Sequence, residues 1–125
     1  MVLIVDDDKD LREVLGEILG THGYQVVLAR HGVAALEYLR LSTDTTPDVI
    51  LLDLMMPVMG GEAFLREQRG DAALRHIPVF LMTAAAGPGA IEASLRPTRM
   101  FVKPIDVPKL LVALTEHTTA LVAAS

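Results

Sequence analysis

Cysteine is absent from the 125 residues, which excludes a disulfide framework, a thiolate metal site and a cysteine nucleophile together. Aromatic residues make up 4% of the chain, and lysine occurs only at Lys9, Lys103 and Lys109. That leaves little material for stacking nucleobases or for a basic cluster beside a membrane. Sixteen acids against eleven bases give a net charge of −5, so the basic footprint of a nucleic-acid binder is missing and no direct nucleic-acid partner is expected. No apolar run approaches the roughly 18 residues that span a bilayer. The opening Met1-Val2-Leu3-Ile4-Val5-Asp6 lacks a basic leader and turns acidic too early for a signal peptide. The expectation is a soluble cytoplasmic domain with no membrane partner. What is present fits: 51% hydrophobic and 22% charged residues rule out a disordered chain. The length suits one domain, 1–125, able to bury about two-thirds of its unfolded surface.

Five short apolar runs, Val2–Val5, Gln25–Ala29, Val49–Leu52, Val79–Met82 and Met100–Val102, alternate with segments of helical period. This alternation argues for an α/β fold, a parallel sheet covered on both faces. Four of the runs lack apolar/polar alternation and read as strands buried on both faces, whereas the second, beside Tyr24 and Arg30, reads as nearer an edge. Leu11, Val14, Leu15, Ile18 and Leu19 predict a first helix, capped by Asp8 or Asp10 and ended at Gly20 or Gly23. Val33, Leu36, Leu39 and Leu41 predict a second. A third is expected from Gly61 through Arg69 with Ala63, Phe64 and Leu65 inward, a short fourth between Gly87 and Pro97, and a fifth from Val107 to Leu121. Five such units give a doubly wound sheet, and ligands of such sheets bind beyond the carboxyl ends of the strands.

At those ends stand Asp6, Asp7 and Asp8 after the first strand, Asp53 after the third, Thr83 after the fourth, and Lys103-Pro104 after the fifth. Acids are common in such loops as helix caps, which accounts for any one of these residues but poorly for the set. Carboxylates gathered like Asp6, Asp7 and Asp53 repel one another unless a cation joins them. Hard oxygen donors without histidine or cysteine point to Mg²⁺. A carboxylate beside such a metal can attack a phosphoryl group, while Lys103 and the Thr83 hydroxyl hold its other oxygens. The four histidines, His22, His31, His76 and His117, are expected to be exposed or helix-terminal, and Met55, Met56 and Met59 are assigned no metal.

Leu3-Ile4-Val5-Asp6-Asp7-Asp8, Asp48-Val49-Ile50-Leu51-Leu52-Asp53-Leu54-Met55-Met56-Pro57, Gly61, Pro78-Val79-Phe80-Leu81-Met82-Thr83-Ala84 and Phe101-Val102-Lys103-Pro104 occur in the order found in receiver domains of two-component response regulators. The sequence resembles that family over essentially its whole length. The resemblance implies a flavodoxin-like strand order 2-1-3-4-5 with five helices. It also implies a function: accepting a phosphoryl group on Asp53 from a sensor histidine kinase or phosphotransfer protein, with Mg²⁺ required, and switching an output face in response. It makes Asp7 a direct Mg²⁺ ligand, Asp6 a partner of the metal partly through water, and Met55 a donor of its backbone carbonyl. Thr83 would bond a phosphoryl oxygen, Lys103 would pair with the acceptor and then with the phosphate, and Asp8 would cap a helix. The Lys103–Pro104 bond is often cis in the family. Such a domain is no turnover enzyme, since it catalyses only its own phosphorylation and dephosphorylation.

Two departures stand beside the resemblance. Met100 occupies the place where most receivers carry an aromatic switch residue, and Phe101 should face the other side of the strand. The stretch from Gly87-Pro88-Gly89 to Leu95-Arg96-Pro97-Thr98-Arg99 is also unlike the usual turn, which makes the last helix/strand/helix face, where targets, effector domains or a second copy dock, atypical. A phosphorylation-independent interaction module is therefore the alternative reading. A Mg²⁺-dependent phosphatase would want a carboxylate at position 55, where this chain has Met55. No effector domain follows Ser125, so the expectation is a stand-alone receiver or one cut from a longer protein.

Overall fold

The computed structural model describes residues 1–42, 44–84 and 95–124. Five parallel strands form one sheet, β1 (Val2–Val5), β2 (Val26–Ala29), β3 (Val49–Asp53), β4 (Val79–Thr83) and β5 (Arg99–Val102), in the order β2-β1-β3-β4-β5. Four helices are present among the described residues: α1 (Lys9–Thr21), α2 (Gly32–Leu41), α3 (Gly61–Gly70) and α4 (Val107–Ala124). The expectation of five helices is thus met by four. The short helix expected between Gly87 and Pro97 falls on 85–94, outside the described residues.

The unbroken apolar runs have a simple cause. Successive strand side chains point to opposite faces, and both faces are covered. Leu3, Val5, Ile50, Leu52, Val79 and Leu81 join Leu36, Phe64 and Leu65 of α2 and α3 in one buried cluster. Val2, Ile4, Val49, Leu51, Phe80 and Met82 join Leu15 and Leu19 of α1 and Leu110 and Leu114 of α4 in the other. The strands β1, β3 and β4 are buried throughout. On the expected edge, β2 is only partly buried. The expectation fails for β5, which is the other edge: Met100 is 42% and Val102 46% exposed. An apolar run reports what a strand is made of, not how many neighbours it has. Phe101 does face away from Met100, stacking obliquely on Phe80 with ring centroids 5.7 Å apart.

The inward face of α3 is Gly61, Phe64, Leu65 and Gln68, a run at i, i+3, i+4 and i+7. Ala63 lies off that face and is exposed, contrary to expectation. Gln68 is fully buried because its Nε2 donates to the carbonyl oxygens of Leu74 (2.8 Å) and Ile77 (3.1 Å), tying the approach to β4 onto α3. No helix among the described residues is long and apolar enough to cross a membrane.

Candidate functional site

Parallel register brings the candidate residues to one edge. Val5 pairs with Leu52, so Asp6 and Asp53 leave their strands side by side. Asp53 pairs with Met82 and Thr83 with Val102, which places Thr83 and Lys103 on the neighbouring strand ends. The Lys103 backbone N–H donates to the Thr83 carbonyl at 2.7 Å, and the Lys103–Pro104 peptide is cis.

The acidic group forms as expected. Carboxylate oxygens of Asp6, Asp7 and Asp53 lie within 4.8 Å of one another, with Asp6 and Asp53 buried and Asp7 exposed. Lys103 Nζ bridges the two buried members, 3.2 Å from Asp6 Oδ2 and 3.3 Å from Asp53 Oδ1. Asp6 Oδ1 accepts from the backbone N–H of Asp8 at 2.9 Å. Asp8 is the N-cap of α1, accepting from the N–H groups of Asp10 and Leu11, so it does the capping work that acids commonly do. The Met55 backbone N–H donates to Asp53 Oδ1 at 3.4 Å, while the Met55 side chain is 73% exposed. Thr83 is buried at the same edge.

Burial pushes the Asp53 carboxyl up to about 6, helped by the neighbouring Asp6 carboxylate and opposed by the Lys103 ammonium. For Lys103, burial works against the ammonium, but the attraction of Asp6 and Asp53 outweighs it and holds the group above its ordinary value. One ammonium therefore serves two buried carboxylates and leaves negative charge uncompensated. Three carboxylates with no soft donor among them suit a hard divalent cation such as Mg²⁺.

Two features of this edge escaped sequence reasoning. Arg12 Nη1 donates to the Asp6 carbonyl at 2.8 Å, fastening α1 to the end of β1. The β3–α3 loop carries Val58 at φ 68°. His31 is helix-terminal as expected: it caps α2, its Nδ1 accepting from the Ala34 N–H at 3.0 Å, in the place usually held by serine or aspartate. Among the other histidines His22 is the C-cap of α1 and His76 is exposed. His117 departs from expectation, being half-buried with its ring edge-on to Phe80 at 5.1 Å.

The model of the response regulator receiver domain family matches residues 2–115. The chain is 38% identical over 115 residues to a response regulator receiver protein of Anaeromyxobacter sp. (strain Fw109-5), covering 87% of this chain but only 44% of that protein. It is 30% identical over 118 residues to the polar-differentiation response regulator DivK of Brucella anthropi, covering 93% of this chain and 94% of DivK. Among solved structures, the signal receiver domain of a signal transduction histidine kinase from Syntrophus aciditrophicus superposes with a TM-score of 0.84 at 33% identity, covering 95% of this chain and 89% of that one.

Proposed function

The chain belongs to the response regulator receiver domain family, and from that premise we propose that residues 1–125 form one cytoplasmic receiver that accepts a phosphoryl group on Asp53. The donor is a phosphohistidine of a sensor histidine kinase or phosphotransfer protein. A carboxylate oxygen of Asp53 attacks phosphorus, the O–P bond forms, and the N–P bond breaks with its electron pair returning to the imidazole. The observation that carries the reading is the Lys103 ammonium held between Asp53 and Asp6 at 3.3 and 3.2 Å beside the exposed Asp7.

Each residue has a separable task. Burial at the end of β3 fixes the acceptor, and a proton affinity centred at about 6 leaves it mainly ionised at neutral pH. Asp6, Asp7, Asp53 and the Met55 carbonyl would hold Mg²⁺, which neutralises charge on the transferring oxygens when bound. Lys103 exchanges the Asp53 carboxylate for a phosphoryl oxygen, and the Thr83 hydroxyl donates to another. The added charge then biases the loops and the β5–α4 face, where a target protein, an effector domain or a second copy would dock.

Intact-protein mass after incubation with acetyl phosphate, with and without Mg²⁺, tests this. We expect a single phosphoryl addition that needs Mg²⁺ and vanishes in Asp53→Asn. No addition in folded protein, with that donor or with histidine kinases, would overturn it. The second reading, a phosphorylation-independent module, draws on Met100, which lies exposed on β5 where the family usually places an aromatic switch. A partner still bound by Asp53→Ala would favour it.

A further inference from the structure

Peroxide finds few targets on this chain. The sequence contains neither cysteine nor tryptophan but has six methionines, so thioether sulfur is its readily oxidised chemistry. Three of the six, Met55, Met56 and Met59, lie in the loop that leaves Asp53 for α3. Their surroundings are graded. Met56 and Met59 are half-buried against the core cluster on the α2 and α3 side. Met59 fills the notch over Gly32, where an added Cβ would lie 2.9 Å from its Cγ and Sδ. Met55 belongs to neither core cluster and is 73% exposed, yet its backbone N–H reaches the acceptor carboxylate itself. A change confined to this exposed side chain falls on the residue that touches the acceptor through its backbone and leaves the core closed.

We propose that Met55 is an oxidation site through which peroxides shorten the lifetime of the phosphoryl group on Asp53; this rests on the phosphoacceptor reading above. The sulfur lone pair attacks one oxygen of hydrogen peroxide, an S–O bond forms, and the O–O bond breaks. The attacked oxygen gives up its proton, and the departing hydroxide takes one up and leaves as water. Sulfur loses two electrons and the peroxide gains them. The product is a sulfoxide whose oxygen accepts hydrogen bonds where the thioether accepted only weakly. An apolar side chain at the mouth holds no water beside the acyl phosphate, whereas a sulfoxide does, and water is the nucleophile that ends the phosphorylated state. Met56 and Met59 react later, because their sulfur is packed, and their oxidation unseats the loop from α2. The competing target is Met100, 42% exposed on β5.

The test uses the full chain carrying Met100→Leu, treated with limiting hydrogen peroxide, mapped by peptide mass and followed for decay of the aspartyl phosphate formed from acetyl phosphate. We expect the first oxygen on Met55 and a lifetime shortened about fivefold. A methionine sulfoxide reductase should reverse the change, and Met55→Leu should show the same lifetime before and after peroxide. A first oxygen on another methionine, an unchanged lifetime with Met55 oxidised, or a response that persists in Met55→Leu would overturn the proposal. Failure of phosphoryl uptake by the wild-type chain before any peroxide, from acetyl phosphate and from histidine kinases alike, would instead overturn the phosphoacceptor reading, and this proposal with it.

Discussion

The strands β3 and β5 deliver the two halves of the 3.3 Å contact between Asp53 and Lys103 from unlike supports. β3 runs between β1 and β4 with every residue buried. β5 is an edge strand bonded on one side, with only Phe101 partly buried. Asp53 is therefore set in packed, poorly hydrated surroundings that hold its position and raise its proton affinity, whereas the Lys103 ammonium sits on a long stem above a half-solvated strand. Under the function proposed above, a carboxylate presenting an oxygen to phosphorus would benefit from being fixed. An ammonium following charge from carboxylate to phosphate would benefit from being free to shift.

The largest expected difference between the two supports is in stability. Leu51→Ala, fully buried in β3, should cost about 2–5 kcal/mol in urea unfolding, because the methyl groups lost leave a cavity. Val102→Ala, 46% exposed in β5, should cost less than about 1 kcal/mol. Equal losses would erase the distinction. Next in size is Gly61→Ala, since an added Cβ would lie 2.7 Å from the Asp53 carbonyl oxygen and 2.8 Å from Leu54 Cα. Both are backbone atoms that cannot swing aside, so about 1–3 kcal/mol should be lost, with slower phosphoryl uptake as the end of β3 is pushed away. Uptake at the normal rate would show that the acceptor tolerates displacement.

The same contrast explains what could be read in the sequence. Leu3, Val5, Ile50 and Leu52 declare buried strands because covering both faces leaves no polar alternation, and the acids at their ends then gather by register alone. Met100-Phe101-Val102 looks alike on paper, but among the described residues it forms a sheet edge with Met100 and Val102 exposed, which no local pattern encodes. Ala63 was misplaced because an apolar residue one position from the buried face of α3 is indistinguishable by type. Gln68 and Arg12 go unread for the opposite reason: their polar side chains read as surface, while each satisfies backbone groups that only the folded chain brings near.

A pH series sharpens the electrostatic half of the comparison. Asp53 has its folded proton affinity raised from 3.8 to about 6, foremost by burial and then by Asp6, against the pull of Lys103. Its contribution to stability is thus fully present below 3.8 and is lost as pH rises through about 6. Without divalent cations, the thermal midpoint of the wild type should match that of Asp53→Asn at low pH and fall below it across that window. Mg²⁺ should narrow the gap, because a bound cation lowers the proton affinity of the carboxylates it touches. A gap independent of pH would mean that the buried carboxylate is not the source.

The smallest effect is expected in the loop that joins the rigid strand to its helix. Val58 lies at φ 68°, and the Met59 N–H donates across it to the Pro57 carbonyl at 2.7 Å, closing a tight three-residue turn. A β-branched residue is a poor occupant of that region, and Val58, 84% exposed, gains little from burial in return. Val58→Gly should therefore stabilise the chain by about 1 kcal/mol, because glycine carries no Cβ to clash at positive φ. Urea unfolding measures it, and a loss in Val58→Gly would refute strain at this turn. If the gain comes with slower uptake on Asp53, the strain belongs to the site: β3 holds the acceptor still, and the tensed turn keeps the neighbouring Met55 backbone in position to meet it.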